Sequence, residues 1–228
     1  ALRQAGGTAA GESAPTRTPR ILGWTSHPSA SIDEAGLVGV VARCSGKHLA
    51  CGGSSAGTAV VVGDTGFVSR WNGTAFVNET SGTTANLNSV WGSSLSNIFA
   101  VGDGGVILRN MGGSWSAMSS GTSNNLFRVH GTDPQNAWAV GSAGTVRNFT
   151  GTTWSTVAGP GTAVLTDVWT SGPNDVWAVG GTTGADCGVF RRDGVMWKSS
   201  APCKSGLTAV WGNSPRDVFT AGGELTIS

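Results

Sequence analysis

The chain has 228 residues, including 37 Gly, 10 Trp and no Tyr, with 12 % charged residues and a formal net charge of +1. Globular chains carry about 25 % charged residues and roughly 7 % Gly, so this one is half as charged and over twice as Gly-rich. The near-neutral balance excludes electrostatic capture of nucleic acid or of an anionic membrane as the main function; 39 % hydrophobic residues with ten Trp argue against disorder, and no apolar run is long enough for a transmembrane helix.

Residues 1–19, rich in Ala, Gly, Thr and Pro, read as a flexible tail. They lack the apolar stretch of a secretory signal, so the expectation is a chain from which any such signal has been removed. The segment Arg20–Ser26 is strand-like and contains Trp24. Then a repeat begins. Leu87, Leu126, Leu165 and Leu207 each open a phrase of the type Leu-x-x-Val-Trp-Gly, at spacings of 39, 39 and 42. A second phrase, of the type Phe-Ala-Val-Gly, ends 15 residues after each leucine at Gly102, Gly141, Gly180 and Gly222. Leu37 to Gly52 is also 15 residues, which places a diverged first repeat there. On that alignment the first repeat carries an insertion, because Gly52 to Gly73 is 21 residues where the next two repeats have 10.

Each repeat ends in a hairpin: Gly73, Gly112, Gly151 and Gly194 stand three residues before Phe76, Trp115, Trp154 and Trp197. Short alternating runs broken by Gly, Asn and Asp read as strands, and no stretch keeps a helical period. Four strands in about 40 residues is the unit of a β-propeller blade. The expected fold is therefore all-β: five four-stranded blades over residues 37–80, 87–121, 126–161, 165–206 and 207–228, with residues 20–26 supplying the closing strand.

The phrases from Val168-Trp169 through Val176-Trp177-Ala178-Val179-Gly180 to Asp193-Gly194 and Trp197 resemble the Trp- and Gly-rich propeller repeats of secreted and surface proteins of bacteria. They are also similar to the blades of photosystem II assembly-factor-type propellers. The resemblance covers residues 37–228 and implies a fold more than an activity. The Asp-box of sialidases is nowhere intact, Arg192–Trp197 being the nearest approach, so no catalytic residues carry over.

Two columns run through the repeats. Trp91, Trp169 and Trp211 share one with His130; Asn97, Asn136, Asp175 and Asp217 share another, just before the second strand. The aromatic column reads first as packing between blades, and the polar column as turn capping. If a ligand binds, these eight residues are the candidate site, with rings stacking on a sugar face and amides and carboxylates meeting its hydroxyls. His130 has no second histidine in register, so no metal site and no cofactor is expected. No Gly-x-Ser-x-Gly elbow, His-Glu-x-x-His or phosphate loop is present. Asp167 is the only acid in the first-strand windows, which argues against the paired carboxylates of a glycosidase. Asn72, Asn78 and Asn148 open Asn-x-Thr sequons.

Cys44 and Cys51 flank one hairpin of the first repeat on this alignment, and Cys187 and Cys203 another in the fourth. The even count and cross-hairpin placement favour disulfides Cys44–Cys51 and Cys187–Cys203 over free buried thiols, and hence an extracellular, cell-surface or periplasmic location. The functional expectation is a non-catalytic, secreted ligand-binding propeller that takes carbohydrate. Five-bladed tachylectin-type lectins share that architecture. The alternative is a structural or assembly module that binds protein partners or self-associates, and a glycoside hydrolase is the weakest reading.

Overall fold

A computed structural model describes residues 38–40, 43–44, 47–54, 58–181, 188–201 and 206–222. The described residues form antiparallel sheets joined in chain order. The first holds β1 (Val38–Val40), β2 (Arg43–Cys44), β3 (Lys47–Ser54), β4 (Thr58–Gly63), β5 (Val68–Trp71) and β6 (Phe76–Asn78). The second is β7 (Leu87–Ser94), β8 (Asn97–Gly102), β9 (Ile107–Asn110) and β10 (Trp115–Met118). The third is β11 (Leu126–Asp133), β12 (Asn136–Gly141), β13 (Val146–Phe149) and β14 (Trp154–Val157). The fourth is β15 (Leu165–Gly172), β16 (Asp175–Gly180), β17 (Gly188–Arg192) and β18 (Trp197–Ala201), and β19 (Leu207–Ser214) pairs β20 (Asp217–Gly222) in a fifth. Each of the three complete four-stranded sheets is a meander whose first strand packs on the first strand of the next sheet. That is the blade arrangement of a β-propeller.

The first blade differs from the expectation. Its first strand is β3, and Gly63, not Gly52, ends its second strand. Gly63 is followed by a 3-10 turn at Asp64–Gly66, as Gly102 is by Asp103–Gly105 and Gly141 by Ser142–Gly144. From Gly63 to Gly73 is 10 residues, the same as in the next two blades, so there is no insertion. The 15-residue step from Leu37 to Gly52 is a coincidence of spacing. β1 lies antiparallel along the other edge of β3, pairing Val40 with Cys51.

Cys44 stands across from Lys47, whereas Cys51 stands across from Val40 and Val61, four residues further along β3. The side chains of Cys44 and Cys51, and Cys187 and Cys203 altogether, lie outside the described residues. So do the tail and the closing strand expected at residues 20–26.

The core sits at the junctions between blades. Trp91, Phe99, Val101 and Ile107 of the second blade bury against Leu126, Val129, Ala137, Ala139, Phe149 and Trp154 of the third. The same pattern joins the first blade to the second, the third to the fourth and the fourth to the fifth. Full burial of a side chain such as Phe99 or Leu126 stabilises the fold by roughly 1.5–3 kcal/mol, so each junction holds its blades firmly. The glycines that end the second strands are steric necessities. A Cβ on Gly102 or Gly141 would stand 2.0 or 1.9 Å from the carbonyl oxygen of Asn86 or Asn125, where the chain enters that same blade.

Inner-strand side chains also stitch neighbouring blades. Asn88 donates to the Leu126 carbonyl at 3.0 Å and Thr166 to the Leu207 carbonyl at 2.9 Å. Ser89 Oγ accepts from the Val129 N–H at 3.2 Å, and in the equivalent place Asp167 Oδ2 accepts from the Val210 N–H at 2.8 Å. Arg128 occupies that place in the third blade and accepts nothing. Asp167 compensates by turning Oδ1 back to the Val168 N–H at 2.9 Å while also receiving Arg128 Nε at 2.5 Å. The acid of the first-strand windows is therefore a structural bracket across three blades.

Candidate functional site

Antiparallel meandering sends the loops of each blade to two opposite faces. The first-to-second and third-to-fourth hairpins lie on one face, and the 3-10 turns with the blade-to-blade loops on the other.

The aromatic column lies inside the junctions. Trp91 and Trp169 are 4 % and 6 % exposed, so neither offers a ring face to a sugar. His130 lies between them, with ring centroids 6.1 Å from Trp91 and 6.3 Å from Trp169, and its Nδ1 accepts the Thr170 N–H at 3.2 Å. One edge of the imidazole keeps some solvent contact, yet the ring is packed about densely by protein. That desolvation, with the Arg128 charge adding to it, takes its pKa down to about 4, so His130 is neutral near pH 7. Trp211 is the exception in the column, 37 % exposed.

The polar column belongs to the hairpin face, and its members staple their own blades. Asn97 accepts from Arg109 and donates to Ser93; Asn136 donates to Thr132 and accepts from the Trp138 indole. Asp175 accepts from Arg191 and Ser171, and Asp217 from Asn213. The recurring partner four residues upstream is what turn capping requires. The structure thus separates the two columns, with one set of rings between blades and one set of polar groups at the hairpin ends. They do not converge on a shared ligand position.

The opposite face carries features that the columns did not point to. A shallow, largely open groove is lined by Thr65, Gly66, Glu79, Thr80, Ser81, Gly82, Thr83 and Thr84. Its floor is an internal lattice of hydrogen bonds. Ser81 Oγ accepts from the Thr83 N–H, Thr83 Oγ1 accepts from the Ala85 N–H, and Asn86 Oδ1 accepts from the Thr65 N–H at 3.0 Å. Asn86 Nδ2 in turn donates to Asp103 at 3.0 Å, tying the first turn to the second. Asn125 repeats the arrangement one blade on, accepting from the Gly104 N–H at 2.8 Å.

Thr65 is held at φ 56°, where the equivalent Gly104 is at 65° and Ala143 at 52°. A β-branched residue in this region costs about 1–2 kcal/mol.

At one end of the groove Glu79 receives Arg70 Nε at 2.5 Å and Trp115 Nε1 at 2.7 Å. Burial raises the Glu79 pKa, but the Arg70 hydrogen bond, the Trp115 indole and the Arg70 charge outweigh it and hold it below its ordinary value. An ionised, fully partnered carboxylate is no general acid at neutral pH. Apart from Arg70, the groove offers hydroxyls and backbone groups. The groove can exchange hydrogen bonds with a neutral, polar chain. Among the described residues no group of three or more His, Cys, Asp and Glu gathers to hold a metal. Sequence reasoning missed this site because Thr, Ser and Gly in a loop read as an ordinary turn; the one signal was the recurrence of Ser81-Gly82-Thr83 as Ser120-Gly121-Thr122.

Fold and blade geometry together define a β-propeller. No protein-family model matches the chain, and no curated protein matches it in sequence. Among solved structures, the chain is similar to YCF48, a β-propeller protein. A structure described as YCF48 bound to D1 peptide aligns with TM-score 0.54 and 17 % identity over 75 % of this chain and 62 % of that one. YCF48 from Cyanidioschyzon merolae aligns with TM-score 0.56 and 17 % identity over 73 % and 61 %. The chain thus spans about three fifths of the length of these structures.

Proposed function

We propose that this chain is a non-catalytic propeller that holds an extended polypeptide segment on the face of the 3-10 turns and blade-to-blade loops. The observation that carries this reading is the groove at Thr65 and residues 79–84, whose hydroxyl and backbone lining is pre-organised by its own hydrogen bonds. A preformed polar surface binds a peptide backbone without first ordering itself. The likeness to a propeller described with a peptide bound supports the same class of ligand. A carbohydrate ligand lacks comparable support, because two of the three rings proposed to stack on it are buried in blade junctions. A place outside the cell rests on the cysteine pairing expected from sequence alone.

The experiment is selection of peptides on the immobilised chain from a random display library, with a glycan array in parallel. Selected peptides are expected to bind in solution, and Gly82→Asn is expected to weaken them at least about tenfold. Gly82 has open space around it and φ of 77°, a conformation Asn tolerates, so the new side chain enters the groove without unfolding the loop. Failure to select any peptide while glycans bind would overturn the reading; peptides indifferent to Gly82→Asn would overturn its location.

A further inference from the structure

Each inner strand from the second sheet to the fifth opens with a β-bulge just after its leucine. The register jumps between Leu87 and Ser89, Leu126 and Arg128, Leu165 and Asp167, and Leu207 and Ala209. The extra residues are Asn88, Phe127, Thr166 and Thr208. A bulge re-aims a side chain, and two of the four show the direction. Asn88 Nδ2 donates to the Leu126 carbonyl at 3.0 Å and Thr166 Oγ1 to the Leu207 carbonyl at 2.9 Å, each on the next blade. Three of these positions hold short polar side chains, and the third blade holds a phenyl ring.

That ring can donate no such bond, and it gains no core burial in exchange. Phe127 is half-buried and belongs to none of the four inter-blade cores. Its place is on the face of the 3-10 turns, because β11 begins where the loop from the second blade arrives. A string of hydrogen bonds joins this point to the groove. Asn86 accepts from the Thr65 N–H and donates to Asp103, and Asn88 donates both to Asp103 and to the Leu126 carbonyl beside Phe127. From Asn86, entering the second blade, to Asn125, entering the third, is one blade step. Packed sheets lie about 10 Å apart, a distance that about three residues of extended chain cover.

We propose that Phe127 receives a bulky apolar side chain of the polypeptide segment held in the groove. The inference rests on the function proposed above and adds a selectivity to it. The ligand has a polar stretch over residues 79–84 and an aromatic or large aliphatic residue about three positions beyond that stretch. Hydroxyls and backbone groups hold any extended chain alike; the ring distinguishes one sequence from another.

The test uses peptides selected on the full chain, with affinities measured by calorimetry. The selected sequences are expected to share an apolar residue at a fixed offset from their polar stretch. Replacing it by Ala is expected to weaken binding to wild type at least about tenfold, and binding to Phe127→Thr by less than about twofold. Phe127→Thr is itself expected to lose about tenfold, and Phe127→Leu to keep most of the affinity. Phe127→Thr copies the bulge at Thr166, so its urea midpoint is expected to match that of wild type; Phe127→Asn, which copies Asn88, takes its place if it misfolds. Peptides that Gly82→Asn weakens but folded Phe127→Thr or Phe127→Asn leaves unchanged overturn this inference while the groove reading stands. Selected peptides that share no apolar residue overturn it in the same way. Failure to select any peptide overturns it together with the reading on which it rests.

Discussion

Trp169→Ala separates packing from binding in the aromatic column. Trp169 is 6 % exposed and lies over Gly212, within the junction that holds Val179, Val189, Leu207 and Val210. No side chain on Gly212 can fill the space the indole leaves. Truncating a buried Trp to Ala costs about 3–5 kcal/mol, against total stabilities of about 5–15 kcal/mol. In a chain of this size each kcal/mol lowers the midpoint by about 2–4 °C, so a fall of roughly 10 °C is expected. Urea titration followed by circular dichroism should show a lower midpoint with little change in slope, because the surface exposed on unfolding barely changes. Peptide affinity measured below the transition should stay near wild type, since the groove lies on another junction. A midpoint within about 2 °C of wild type, with ligand binding abolished, would refute the assignment of this ring to the core.

Three further outcomes follow from single contacts. His130 titrates at about 4 when folded and near 6.5 when unfolded, so its contribution is complete above pH 6.5 and is lost as pH falls toward 4, by about 3 kcal/mol; urea midpoints across this window should fall, and less so in His130→Asn. Trp154 Nε1 is buried without a partner, because Met118 stands where Glu79 serves Trp115; Met118→Gln should supply an acceptor and raise stability by about 1 kcal/mol in calorimetry. Asp167→Ala strands Arg128 and the Val168 and Val210 amides, and should cost about 3–5 kcal/mol by chemical denaturation.

Blades two to four were legible from sequence because their leucine, Val-Trp-Gly and Ala-Val-Gly phrases are each fixed by sterics or burial. Gly102 and Gly141, for instance, face a carbonyl oxygen at a distance no Cβ permits. The first blade was misread because Leu37 and Gly52 happen to share the 15-residue step. The run Val62-Gly63-Asp64-Thr65-Gly66, so close to Val101-Gly102-Asp103-Gly104-Gly105, was the better marker, since it encodes a turn and not merely a spacing. The aromatic and polar columns were visible as columns, but their destinations were not. Whether a ring faces solvent depends on what the next blade places over it, and Gly131 is 40 residues away from Trp91. The groove was invisible for another reason. It is made of small polar loop residues and of Glu79, which alone in a sequence looks like any surface acid.

The central claim is that a peptide lies on the face of the 3-10 turns. Hydrogen exchange of the chain with and without a selected peptide tests it most directly, because the turn and loop amides are individually placed. The account predicts slowed exchange at Thr65, at residues 79–86 and at Gly104, with the hairpin ends near Ser96, Gln135 and Asn174 unchanged. Protection confined to those hairpin ends, with the turns unaffected, would contradict it.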